Sequence, residues 1–479
     1  MTFLIIEEKW DGGCYQRRYS STRWWTGGYT AAFRAADLGL SVCLVEKQDT
    51  LGGVCVNVGC IPSKTLLHAA ALIEHAKHGE KMGIAFGTPS IDIDGLRAHK
   101  ENTISELTKG IANLAKARKI TRVQGAGQFT AHNTLSVVGE SETQILFKHA
   151  IIATGSHSIS LPSAPNDPRI WDSTDALALR LIPNKLLVIG GGIIGLEMAQ
   201  VYSALGSQIT IVEAQDQVIP AADKDIVQPL VKSVKKRYQI LTNTLVTAME
   251  ADSDAITVFF DGKKAPESER FDAVLVAVGR RPNTANLGLD ILNIELDKQG
   301  LIPVNEKMQT SVPNIFAIGD IVKGPMLAHK ATHEGKVASE VIAGMDSAFH
   351  PVAIPSVAYT SPEIAWVGLT EKEAKQQGLA FQTGKVPWLV SGRAQSAGAT
   401  NGVTKAIFCS DTGTLLGAGI CGENAGELIH EAGAMLELGG RAKDIAHTVH
   451  AHPTLAETFA FAAELVEGSM TDMLPPRKK

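Results

Sequence analysis

Lys185-Leu186-Leu187-Val188-Ile189-Gly190-Gly191-Gly192-Ile193-Ile194-Gly195-Leu196 is the stretch that decides the fold. An apolar β run enters a glycine turn, and a helix pattern follows from Leu196 to Leu205. Gly206 ends that pattern, and a second β run, Ile209 to Val212, finishes on Glu213. A strand, a Gly-x-Gly-x-x-Gly turn, a helix and a second strand together make a dinucleotide-binding unit. In such a unit Gly190 permits the tight turn and Gly192 lets a pyrophosphate reach the backbone. Gly195 lets the helix pack closely on the strand. Glu213 is placed to accept hydrogen bonds from a ribose 2′-hydroxyl and to repel a 2′-phosphate, which favours NAD over NADP. A third β run, Ala273 to Val278, followed by Gly279-Arg280-Arg281-Pro282-Asn283, closes the unit.

The same unit occurs earlier in part. Gly28 precedes Glu46 by the interval that separates Gly195 from Glu213, Leu38-Gly39 falls on Leu205-Gly206, and Val42 to Val45 falls on Ile209 to Val212. Two units imply two nucleotide cofactors. The front of the first copy departs from the repeat, which predicts glycines at positions 23 and 25 behind an apolar strand. The chain instead carries Arg23-Trp24-Trp25-Thr26, preceded by the polar run Tyr15 to Thr22. Arginine and tryptophan deny the close backbone approach that a pyrophosphate needs.

Two cysteines, Cys55 and Cys60, lie in a glycine-bearing turn ahead of Pro62 and an apolar run, Thr65 to Ala76, that reads as a helix. Proline suits the first helical position. Cys60 is therefore expected at or just before a helix N-terminus, whose partial positive charge favours a thiolate. The pair has the parts of a dithiol/disulfide couple. Inert buried cysteines and a structural zinc site are the alternatives, and zinc ordinarily needs a second ligand pair that the sequence does not show. No metal site is expected, and Cys14, Cys43, Cys409 and Cys421 read as structural. Farther on, an apolar strand over Val312 to Ile318 delivers Asp320 to the ligand edge of a parallel sheet, or else Asp320 caps a helix. Near the C-terminus, His447, His450 and His452 precede Glu457. The preferred reading is one working histidine, His452, oriented by Glu457. Pro453 biases His452 away from helix, and Thr454 is expected to cap the helix that bears Glu457.

A length of 479 residues predicts about three domains. A hydrophobic fraction of 44% with 20% charged residues suits a globular chain with large cores, and a formal charge of −5 argues against nucleic-acid partners. No apolar run is expected to span a membrane, Met1 to Glu8 does not read as a secretory signal, and six cysteines in so long a chain do not make a disulfide scaffold. The expected compartment is the cytoplasm, where a lasting disulfide is usually catalytic. After about His350, short β runs alternate with helical stretches over Ala425 to Leu438 and Ala456 to Glu467, which predicts a separate α+β domain.

Taken together, these motifs resemble the flavin-dependent pyridine nucleotide–disulfide oxidoreductases from roughly Gly27 to Leu474. The resemblance rests on Glu46, Cys55 with Cys60, Lys64, the Gly190 to Glu213 unit, Ala277 to Arg280, Gly319-Asp320, Met326 to Lys330 and His450 to Glu457. It implies an α/β fold with two Rossmann-like dinucleotide-binding domains, one for FAD and one for NAD, and a C-terminal α+β dimerisation domain. The implied boundaries are 1–152 and 278–349 for the FAD-binding parts, 153–277 for NAD and 350–479 for dimerisation. FAD is implied at Glu46, Lys64, Gly127, Asp320 and Ala328. NAD is implied at Gly190, Gly192, Gly195, Glu197, Glu213, Val246, Gly279 and Arg280, with Lys64 pairing Glu197.

Within the resemblance Cys55 meets the substrate and Cys60 meets the flavin. His452, held by Glu457, serves as acid–base residue in the partner subunit's site, which makes the enzyme a homodimer. The implied substrate is a dihydrolipoyl group on the lipoyl domains of 2-oxo acid dehydrogenase acyltransferase components. Other NAD(P)H disulfide reductases are the competing reading. The NADPH-dependent branch calls for basic residues after the second strand, where Glu213-Ala214-Gln215-Asp216 is acidic. A flavin-free binding protein is the alternative if Arg23 to Thr26 stand as written. Codons for Arg-Trp-Trp-Thr, read one base later, can spell three glycines, so we read the anomaly as a compensated frameshift that ends near Gly27. Resequencing the DNA over this stretch is expected to place glycine codons at positions 23 to 25; tryptophan codons confirmed in frame overturn that reading.

Overall fold

The computed structural model describes residues 2–7 and 26–474. The anomalous stretch Arg23 to Trp25 and Cys14 lie outside the described residues. Three five-stranded sheets organise the chain. The second has the order Tyr238–Thr242, Gln208–Glu213, Lys185–Ile189, Ala273–Val276, Ile170–Trp171, and every neighbouring pair is parallel. Its strands are buried on both faces, which is why they read as unbroken apolar runs. The helix Ile193–Ala204 springs from the glycine turn, as the fingerprint predicts.

The first sheet has the order Ile315–Ala317, His149–Ile152, Thr2–Glu7, Ser41–Glu46, Thr121–Gln124. Its outer pairs are parallel, matching the second sheet. Its central strand is antiparallel to both neighbours, with Leu4 opposite Leu44 on one side and Ile151 on the other. The repeat predicts a parallel strand here, ending just before Arg23. The central slot demands apolar side chains on both faces, and Tyr15 to Thr22 cannot supply them. Phe3, Leu4, Ile5 and Ile6 do, none more than 2% exposed. Composition thus overrides direction. One consequence is geometric: Glu7 pairs with Ser41, at the end of the sheet where the helix Thr26–Asp37 finishes, not where it starts. That helix is about 18 Å long.

Thr26–Asp37 packs on Ala328–Ile342 through a seam of small residues. A Cβ at Gly27 would sit 2.9 Å from the Ala331 carbonyl oxygen, and one at Gly335 would sit 2.8 Å from that of Gly27. Ser339 Oγ donates to the Ala31 carbonyl across the same seam (2.8 Å). The third sheet is antiparallel, in the order Ser356–Ala358, Glu363–Gly368, Leu415–Gly422, Val403–Cys409, Phe381–Pro387. The helices Ala425–Glu437 and Glu457–Glu467 pack against it around Trp388, Phe408 and Phe459. This is the α+β domain expected after His350. A buried lysine ties it to the second unit: Lys405 Nζ lies 2.7 Å from both Asp223 and Asp225 and 3.1 Å from Glu371. The three carboxylates have the spacing of a cation site, and the ammonium group fills it.

Gly53–His78 is long and apolar enough, by length and composition, to cross a membrane, which the sequence reading did not expect. The stretch is two helices, Gly53–Val58 and Cys60–His78, broken at Gly59. Its Lys64 is paired with Glu197 on the helix Ile193–Ala204, so its apolar face is a packing face inside the fold.

If one slot selects for apolar content, a better strand will displace the present occupant. In a chain whose residues 18–25 are replaced by Lys-Leu-Leu-Val-Ile-Gly-Gly-Gly, the sequence of 185–192, we expect slow amide exchange to move from residues 3–6 to residues 18–22. Hydrogen-exchange mass spectrometry reads this directly; unchanged protection at 3–6 would refute the competition.

Candidate functional site

The glycine turn of the second unit behaves as its three positions require. Gly190 has φ +108°, and a Cβ there would collide with the Ala277 carbonyl. A Cβ on Gly195 would collide with the carbonyl oxygen of Gly190, so that position serves close packing. Gly192 faces open space, with nothing within 4 Å of a built Cβ. Glu213, 8% exposed at the end of its strand, accepts from Gly191 N and Gln215 N, both at 2.8 Å. Its carboxylate therefore stands beside the turn. Val246 is half-buried on the neighbouring three-stranded sheet, opposite Phe260. Gly279 has φ +130°.

The first unit repeats this arrangement at its second strand. Glu46, 1% exposed, accepts from Gln48 N at 3.0 Å, as Glu213 accepts from Gln215 N. Gly127 is buried for a packing reason: a Cβ there would lie 2.6 Å from the Phe3 ring. Ala328 begins the helix Ala328–Ile342, whose N-terminus has no side-chain cap. That helix braces Gly319-Asp320. Lys330 pairs with Glu334 at 2.8 Å, both buried; Lys330 donates to the Gly319 carbonyl (2.9 Å), and Gly319 N donates to Glu334 (2.7 Å).

Asp320 is completely buried and does not cap a helix. Its Oδ2 accepts from Ser156 Oγ at 2.6 Å, and its Oδ1 has no partner among the described residues. Burial pushes its carboxyl up to about 6, against the pull of Ser156, Arg280 and Lys330. Arg280, expected on the NAD side, donates from Nε to Ser156 Oγ (2.7 Å) and from Nη2 to the Ser156 carbonyl (2.8 Å). Ser156 thus links Arg280 to Asp320.

Between the units lies the dithiol. Cys55 is in the short helix Gly53–Val58, not in an open turn, and Cys60 is the first residue of Cys60–His78. Pro62 stands third in that helix, not first, still within the turn whose N–H groups lack helical partners. The two thiols are in hydrogen-bond contact. The helix terminus predicts an acidified Cys60; the structure pushes its thiol up instead, first through the bond to Cys55 and then through burial, with Lys64 pulling the other way. Two sulfurs in contact titrate as a pair, and ionisation of one is felt by the other. Lys64 Nζ reaches both oxygens of Glu197 at 3.0 Å and lies 4.4 Å from the centre of the Tyr359 ring. Glu197 also accepts from Ser63 Oγ (2.7 Å) and Tyr359 N (3.1 Å), so both of its oxygens are engaged within the protein. Tyr29, on Thr26–Asp37, faces the pair: burial and then Cys55 and Cys60 push its hydroxyl up. Sequence reading missed Tyr29 and Tyr359, because neither lies in a motif with the cysteines.

His452 Nδ1 donates to Glu457 Oε1 at 2.8 Å, leaving Nε2 outward on a side chain that is 79% exposed in a single chain. The other oxygen of Glu457 accepts from Thr454 N at 2.7 Å. Thr454 does not cap the helix, since its hydroxyl donates back to the Ala451 carbonyl. The carboxylate side chain performs that local bridging. An imidazole held by a carboxylate on one nitrogen and open on the other is arranged to move a proton.

The chain matches the family described as pyridine nucleotide-disulphide oxidoreductase over residues 26–335, and the dimerisation domain of that family over 354–463. It is 54% identical to a dihydrolipoyl dehydrogenase of Haemophilus influenzae, over 93% of this chain and 94% of that protein. It is 44% identical to one from Bacillus subtilis, over 92% and 95% respectively. Among solved structures, the HOCl-induced flavoprotein disulfide reductase RclA from Escherichia coli superposes with a TM-score of 0.82 at 26% identity, covering 92% of this chain and 98% of that one. The first match begins at residue 26, where the departure from the internal repeat ends.

The buried Asp320 carboxyl carries a pH signature. Its folded pKa lies above the ordinary carboxylate value, so the neutral form is favoured in the fold. That contribution is complete below about pH 4 and is lost as pH rises through about 6. Above that the ionised, half-partnered carboxylate costs the cofactor-free protein about 3 kcal/mol. We expect Asp320→Asn to raise the melting temperature of the cofactor-free chain at pH 8 and to leave it unchanged at pH 4; equal shifts at both pH values in thermal scans would contradict this.

Proposed function

The chain belongs to the pyridine nucleotide-disulphide oxidoreductases, and we propose that within this family it oxidises protein-bound dihydrolipoyl groups with NAD+. Its cofactors are FAD and NAD, and the family's dimerisation domain makes it a homodimer. The single observation that carries the reading is the cysteine pair. It is held in contact at a helix start, beside Lys64 and Glu197 and between two nucleotide units.

The described residues fit both cofactors. Asp320 Oδ1 is a buried acceptor with no partner among the described residues, suited to a cofactor hydroxyl, and Glu46 stands where a ribose is expected in the first unit. Gly192 leaves room for a pyrophosphate, and Glu213 stands beside it for a ribose. Lys64 and Ala328 complete the FAD side; Gly190, Gly195, Val246, Gly279 and Arg280 complete the NAD side. When bound, FAD takes an electron pair from sulfur and delivers it to NAD+ as hydride.

His452 Nε2 of one subunit removes a proton from a dihydrolipoyl thiol at the cysteine pair of the other. Glu457 stabilises the imidazolium that results. The substrate thiolate attacks Cys55 Sγ of the Cys55–Cys60 disulfide, forming a mixed disulfide and releasing Cys60 as thiolate. The second substrate thiol attacks the substrate sulfur of the mixed disulfide and its proton passes to Cys55 as that sulfur leaves, so that the substrate departs as a disulfide and both electrons remain on the pair, as Cys55 thiol and Cys60 thiolate. Lys64, held by Glu197, supplies positive charge where the Cys60 thiolate forms, against the burial that disfavours it. Lipoyl domains of 2-oxo acid dehydrogenase acyltransferase components are the proposed carriers of the substrate, and the cytoplasm is the proposed compartment.

The purified dimer is expected to reduce NAD+ with dihydrolipoamide, and Cys55→Ser and Cys60→Ser each to abolish that turnover. Near-normal activity of either variant, followed at 340 nm, refutes the assignment.

A further inference from the structure

Two residues before His452, His450 has a carboxylate of its own. Its Nε2 lies 2.7 Å from Glu431 Oε1, on the helix Ala425–Glu437, and its Nδ1 lies 2.8 Å from the Thr448 carbonyl oxygen. Its side chain is only 9% exposed, whereas that of His452 is 79% exposed. A carbonyl and a carboxylate accept hydrogen bonds and do not donate them. The carboxylate and the carbonyl thus hold the ring of His450 at both of its nitrogens. His452 differs in kind, with one nitrogen donating to Glu457 and the other outward.

Glu464, from the helix Glu457–Glu467, also faces His450. Burial and Asp472 push its carboxyl up, and His450 draws it down. His450 thus touches Glu431 on one helix and is within electrostatic reach of Glu464 on another. On either side of His450, Val449 is 97% exposed and Ala451 is exposed, so the loop turns one ring inward and presents its neighbours outward.

We propose that His450 and Glu431 are positioning residues for the reaction of the preceding subsection, on which this inference rests: they pin the start of the loop whose other end Glu457 holds. The loop that presents His452 is then fixed on both sides. On the far side Glu457 grips the ring of His452 and the amide of Thr454. On the near side Glu431 grips His450, which grips the Thr448 carbonyl. With the near anchor cut, the base keeps its partner and loses its placement, so proton removal slows while substrate and nucleotide binding stay intact.

The test uses the flavin-loaded dimer carrying Glu431→Gln, His450→Asn, or both. In each single variant we expect kcat for dihydrolipoamide oxidation to fall about tenfold at unchanged KM. NADH-dependent reduction of ferricyanide, which draws electrons from the flavin and needs neither histidine nor cysteine, should be unchanged. The double variant should be no worse than the poorer single one, because both changes cut the same contact. A kcat within twofold of the parent overturns the proposal, as does a parallel loss of both activities, which marks a folding defect. A parent dimer that cannot oxidise dihydrolipoamide overturns the underlying function instead.

Discussion

The carboxylate of Glu197 is where the parts of this molecule are joined. It is 3% exposed and accepts from Ser63 and Lys64 on the dithiol helix and from the backbone of Tyr359 at the start of the C-terminal domain. The helix that carries it begins at the second glycine turn. One buried anion therefore fixes the cysteine pair relative to the NAD unit and the dimerisation domain. Breaking a buried pair by removing one partner leaves an uncompensated charge and costs several kcal/mol. Lys405 makes a second joint of the same kind, with an ammonium group amid Asp223, Asp225 and Glu371 between the second unit and the third sheet. Charge, as well as apolar packing, sets the relative placement of the units.

The sequence was most readable where a residue's role is local. The glycine fingerprint is an example, because each of its three positions answers to a distance within one turn: φ at Gly190, open space at Gly192, contact at Gly195. His452 and Glu457 lie close in sequence, and their contact was legible. Legibility fails with separation. Glu431 meets His450 across a helix and a loop, Tyr29 meets the thiols from another element, and no spacing rule reaches either. Local rules also lose to competing local chemistry. Thr454 has the composition of a helix cap, yet the longer Glu457 side chain takes the amide and the hydroxyl turns back to Ala451. At Cys60 the helix terminus favours a thiolate, and a neighbouring sulfur a hydrogen bond away outweighs it.

Asp320 shows how a binding residue differs from a stabilising one. Everything near it is arranged for rigidity: the Lys330–Glu334 pair braces Gly319, and Arg280 fixes Ser156. The carboxylate itself is left half satisfied. A fold that only needed a plug at this point would use an apolar residue or satisfy both oxygens. The unsatisfied oxygen is what the proposed cofactor hydroxyl would complete.

The inverted central strand of the first sheet bears on the order of synthesis. Thr2–Glu7 precedes both of its neighbours in the chain, and Ser41–Glu46 and above all His149–Ile152 are made later. From its own emergence until residue 152 follows, the apolar run Phe3 to Ile6 is without both walls of its socket. During that interval it is available to any other sheet edge or to a chaperone, as nascent chains with unpaired strands are. A parallel strand placed next to its own helix would close its first contacts sooner. The orientation of one short strand thus sets how long the nascent chain stays vulnerable.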